Sequence, residues 1–95
     1  VKIALDFDGT YTRAPQFWNG FVEDALDAGH EVRIVTFRKS TMTDPALDWL
    51  AQQIPVIYTE YQQKRAFCRR LGWEPDIWID DQPEFIVEHV VLVGD

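Results

Sequence analysis

Short β-branched runs alternate along this chain with stretches whose apolar residues recur at helical spacing, an order that points to a sheet layered with helices. Lys2-Ile3-Ala4-Leu5-Asp6, Glu31–Thr36, Pro55–Tyr58, Ile77–Asp80 and His89–Val93 read as five strands. Phe17, Phe21, Val22, Ala25 and Leu26 form the stripe of a helix from Pro15 to Ala28, with Pro15 in its first turn and Gly29 at its stop. Thr43-Asp44-Pro45 opens a second helix through about Gln53, with Leu47 and Leu50 facing inward. Thr59-Glu60-Tyr61-Gln62 has the spacing of a capping box, so a third helix is expected to start there and run to Leu71, with Gly72 as its stop. Lys64 then falls in its first turns, and a short helical turn is expected near Pro83. The predicted fold is a single Rossmannoid, doubly wound α/β domain over residues 1–95, with a mainly parallel five-stranded sheet and right-handed crossovers. No helix follows the last strand, so a partner or further chain is expected over one of its faces.

Sixteen acidic residues against nine basic ones give a net charge of -7, which argues against broad binding along a nucleic-acid backbone. The single cysteine, Cys68, cannot form an internal disulfide, and at helical spacing from Lys64 and Leu71 it reads as a small core residue. No stretch resembles a signal peptide or is apolar enough to span a bilayer, so the expectation is a cytoplasmic protein without a membrane partner. Nothing in the sequence supports oligomerisation. His30 and His89 lack companions at metal-ligand spacing and receive no role.

In an open parallel sheet, ligands bind beyond the carboxyl ends of the strands. Asp6, Asp8, Thr36, Asp80 and Asp81 all fall there. Asp6 and Asp8 lie two apart on what reads as an extended segment, which would point both carboxylates to one side. Two such charges either raise one pKa or take up a cation, and further acids from the fourth strand favour the cation. Oxygen-only ligands of this kind suit Mg2+.

Asp6-Phe7-Asp8-Gly9-Thr10 at the end of a first strand resembles the signature of the haloacid dehalogenase superfamily. Thr36 in Val35-Thr36-Phe37-Arg38, Lys64, and Asp80-Asp81 after Ile77-Trp78-Ile79 resemble its three later motifs, in the same order, so the likeness spans Lys2 to Asp81. The resemblance implies a phosphohydrolase in which Asp6 attacks phosphorus and Asp8 serves as general acid and then general base. It also implies that Thr36 binds a phosphate oxygen and Lys64 neutralises charge. The metal set it implies is Asp6, Asp8 through its backbone carbonyl, and Asp81, with Asp80 orienting Lys64 or a metal-bound water.

Within that superfamily, the second aspartate marks enzymes acting on phosphate esters. No cap is inserted after the first or third strand, so the site is expected to be open. Gly9, Thr10, Arg13, Phe37, Arg38 and Lys39 are the expected substrate-binding residues, and the substrate is a phosphorylated small molecule, a nucleotide or a nucleic-acid end. The tryptophans are expected to be core or helix-packing groups, although Trp18, with Phe17, follows the short segment after Thr10 that carries Arg13 and could border a substrate base. The competing reading is a non-catalytic metal-binding or adaptor domain of the same fold. A response-regulator receiver is excluded by order, since its phosphorylated Asp precedes the Thr and Lys, whereas here the acidic pair comes last.

Overall fold

The computed structural model describes residues 1–87. Four strands form one parallel sheet: β1 (Lys2–Leu5), β2 (Glu31–Thr36), β3 (Val56–Tyr58) and β4 (Ile77–Ile79). Their order across the sheet is β3-β2-β1-β4, so the chain steps outward from β1 to β3 and then returns to the other side of β1. The expected fifth strand, His89–Val93, lies outside the described residues.

Alternation along the strands decides which residues each face buries. Ile3, Leu5, Val32 and Ile34 share one core with Val22 and Ala25 of α1 (Pro15–Asp27) and with Leu47 and Leu50 of α2 (Pro45–Ala51). Ala4, Val35 and Ile57 face the other way and meet Cys68 of α3 (Lys64–Arg70) and Trp73. Helices therefore cover both faces of the sheet, as the sequence pattern predicted.

The helix ends are set locally. Pro15 occupies the first turn of α1, and Gly29, at φ +87°, lets the chain turn left-handed after it. Gly29 N then donates to Leu26 O and His30 N to Ala25 O, which satisfies the last carbonyls in a Schellman arrangement. The Asp44 side chain caps α2 by accepting from Ala46 N at 2.8 Å.

The third helix departs from expectation. It starts at Lys64, because the Thr59–Gln62 segment forms a turn in place of a capping box. Thr59 Oγ1 donates to Gln62 O at 2.8 Å, while the backbone N–H groups of Thr59, Glu60 and Tyr61 bond to the carbonyls of Thr36, Arg38 and Phe37. Pairing with the loop after β2 outcompetes the local cap. As a result Lys64 opens the helix. The connections Thr59–Gln63 and Asp6–Ala14 carry no inserted domain.

Candidate functional site

The sheet order reverses at β1, and the crevice beyond the carboxyl ends of β1 and β4 is where such a sheet binds ligands. Leu5 pairs with Ile79, so the next residue of each strand emerges there side by side. Asp6 N donates to Ile79 O at 2.9 Å, which locks the two strand ends together. One oxygen each from Asp6, Asp80 and Asp81 lies within 4.8 Å of the others, a grouping able to hold a metal ion.

Lys64 reaches this group from the opposite element. Its side chain is 1% exposed, and Nζ donates to Asp6 Oδ1 at 2.7 Å and to Asp80 Oδ2. Asp80 Oδ1 accepts from Gln82 N at 2.9 Å, so both of its oxygens are engaged. Thr10 Oγ1 donates to Asp6 Oδ2 at 3.0 Å and stands 3.4 Å from Asp81 Oδ1. Gly9 makes the approach of Asp81 feasible. Its φ is +82°, and a Cβ at that position would overlap the Asp81 carboxylate.

The charge balance suits a cation. When all three carboxylates are ionised, one ammonium leaves an excess of two negative charges in a partly desolvated site. Burial pushes the Asp6 carboxyl up to about 7 from an ordinary 3.8; Lys64 opposes the rise, and Asp80 and Asp81 add to it. A divalent ion among these oxygens would favour the ionised form and relieve that cost. The donor set is all oxygen, the type that hard cations take.

Asp8 behaves differently from Asp6. The segment after Leu5 is a turn and not the extended run expected from sequence, with Tyr11 N donating to Asp6 O and Thr12 N to Phe7 O. The turn leaves the Asp8 side chain 53% exposed and outside the three-carboxylate group. Both of its oxygens are held by Arg38: Nε donates to Oδ2 and Nη2 to Oδ1, each at 2.8 Å. The guanidinium also lies 5.3 Å from the centre of the Phe7 ring, and Nη1 donates to Met42 O at 3.4 Å.

A cavity of about 520 Å3 opens over these groups. Asp6, Asp8, Gly9, Phe37, Arg38, Asp80 and Asp81 line it. Thr36 does not: it is fully buried, and its Oγ1 accepts from Arg38 N at 3.4 Å. Lys39 stands off the wall with Nζ 5.5 Å from the Tyr61 ring centre. Arg13 and Trp18 border a neighbouring cavity of about 320 Å3 that shares Gly9, Asp80 and Asp81 with the first. Phe17 is exposed and packs edge-on against Trp18. Sequence reasoning missed Met42, Tyr61, Gln82 and Phe85 on the main cavity wall. No spacing rule marks them, because they come from three separate segments, one after β2, one after β3 and one after β4. Among the described residues, no helix is long and apolar enough to cross a membrane. No family model matches the chain, and no curated protein or solved structure gives a significant match.

Proposed function

We propose that this chain is a magnesium-dependent phosphomonoesterase with Asp6 as its nucleophile. The observation that carries the proposal is the meeting of Asp6, Asp80 and Asp81 at the switch point of the sheet, with the Lys64 ammonium between Asp6 and Asp80. Asp6 Oδ would attack phosphorus in line, breaking the bond to the ester oxygen and forming an aspartyl-phosphate. Asp8 would give its proton to the departing oxygen and then take one from the water that hydrolyses the intermediate. Asp6 and Asp81 would hold Mg2+, with Asp80 tied to Lys64 in support. When bound, Mg2+ supplies positive charge against the phosphate oxygens.

Arg38 adds a condition. Its two hydrogen bonds occupy Asp8, so the pair has to open before Asp8 can transfer a proton. An incoming phosphate offers the guanidinium an equivalent bidentate partner, which would release Asp8 as substrate enters. Thr36, enclosed behind the wall, would act by fixing the loop that carries Arg38. The likeness to haloacid dehalogenase phosphatases in motif order supports the same assignment. A second reading, a metal-binding adaptor without turnover, is favoured by the closed Arg38–Asp8 pair alone. Hydrolysis of an aryl phosphate with and without added Mg2+ separates the two. Turnover that requires Mg2+ and disappears in Asp6→Asn is expected, and metal binding with no turnover across a panel of phosphate esters would leave only the adaptor.

A further inference from the structure

The lining of the main cavity is of two kinds: carboxylates with Arg38, and the side chains of Phe37, Tyr61, Phe85 and Met42. Phe37 and Phe85 stack with centroids 4.4 Å apart and planes 15° apart, and Tyr61 tilts against Phe37 at 5.6 Å. The Tyr61 hydroxyl donates to Met42 Sδ at 2.9 Å, so its polar end is already engaged within the wall. Proton transfer and metal binding need none of these side chains.

The backbone beneath Tyr61 is a second observation. Glu60 and Tyr61 both take positive φ, 56° and 62°, in a region that residues with a Cβ seldom adopt. Such conformations gather at ligand clamps and persist where surrounding bonds over-determine them. Here Tyr61 N donates to Phe37 O, Glu60 N to Arg38 O, and the Glu60 side chain accepts from Ser40 N. The strained pair thereby fixes a half-exposed Tyr ring, 51% accessible, to the loop that carries Phe37 and Arg38.

We propose that this wall is a ring-binding subsite and that the substrate is a nucleoside monophosphate. The inference rests on the phosphohydrolase reading for the placement of the phosphate beside Asp6, Asp80 and Asp81. A nucleobase presents a flat π face that stacks on aromatic side chains whatever its sequence identity. A sugar phosphate would instead bring hydroxyls against carbon and sulfur and lose hydrogen bonds to water without replacement. The Gln82 amide on the same cavity carries both donors and an acceptor for the edge of a base. About 520 Å3 falls in the range of small-molecule sites and exceeds what a bare phosphate would fill.

Calorimetric binding to the full chain carrying Asp6→Asn, in Mg2+, tests the subsite without turnover. AMP is expected to bind about tenfold or more tightly than ribose 5-phosphate, since one base–aromatic stack is worth roughly that much. Tyr61→Leu in the same background should shrink the ratio to within about twofold, with Phe85→Leu as the alternative if the first variant does not fold. Equal affinities, or no binding of either ligand, would overturn the subsite. AMP binding with no hydrolysis by the wild type would remove the phosphohydrolase and leave the subsite. Hydrolysis with no preference for AMP would do the reverse.

Discussion

Lys64→Met removes the ammonium shared by Asp6 and Asp80 and leaves an unbranched apolar chain in its place. The three side chains are 1%, 6% and 2% exposed, so water cannot substitute for the lost charge. Deleting one partner of a buried ion pair costs about 3–5 kcal/mol. Asp6 limits the damage by taking up a proton, as burial already holds its carboxyl at about 7. The expected loss at pH 8 is therefore at the lower end, about 3 kcal/mol, which leaves a domain of ordinary stability folded. The pH dependence follows from the direction of the Asp6 shift. A folded-state value raised above the ordinary 3.8 means that the folded chain keeps a proton the unfolded chain releases between these limits. Metal-free wild type should lose stability as pH rises from about 4 to about 7, with a slope of up to about 1.4 kcal/mol per pH unit from this group. Without Lys64 that decline continues above pH 7, so the difference between the proteins is smaller at pH 5 than at pH 8. Urea titrations in chelator at both pH values measure it. Added Mg2+ should stabilise the variant more than the wild type, because the cation takes over the missing counter-charge. A loss below about 1 kcal/mol at pH 8, or the same loss at both pH values, would refute the reasoning.

Three further outcomes are expected. Gly9→Ala forces a Cβ into the Asp81 carboxylate and strains a backbone at φ +82°, so Mg2+ affinity by calorimetry should fall alongside a stability loss of about 1–3 kcal/mol; unchanged affinity would contradict the placement of Asp81. Asp44→Ala removes the cap on Ala46 N and should cost about 1 kcal/mol in urea, with no measurable change counting against the cap. Cys68 is fully buried and its thiol is pushed up to about 11 by desolvation, so a thiol reagent should label it only after unfolding; rapid labelling of the native protein would place it elsewhere.

Local rules carried much of the architecture. Period-two alternation in Glu31–Thr36 sorts Val32 and Ile34 onto one face and Val35 onto the other, and those faces recruit different helices. The strand-end rule picks out Asp6, Asp8, Thr36, Asp80 and Asp81, and of these Asp6, Asp80 and Asp81 come together, because β1 and β4 are parallel neighbours with their carboxyl ends side by side. What escaped prediction depends on contacts between distant segments. The Thr59–Gln62 spacing fits a capping box, but Thr59, Glu60 and Tyr61 give their N–H groups to the loop after β2. No residue within that segment announces such a choice. Likewise, the partnership of Asp8 with Arg38 spans thirty positions and depends on the turn after Leu5, which redirects Asp8 away from Asp6. Tyr61 and Phe85 share one cavity wall although α3 and β4 lie between them in the chain, so their joint surface has no linear signature.

Acid quenching of the protein during turnover of a phosphomonoester in Mg2+, followed by mass spectrometry of the peptide containing Asp6, tests the nucleophile most directly. A single phosphoryl group on Asp6, absent from the Asp6→Asn protein and from samples without Mg2+, is the predicted result. Sustained phosphate release by Asp6→Asn, at a rate matching the wild type and with no phosphorylated residue 6, would contradict it.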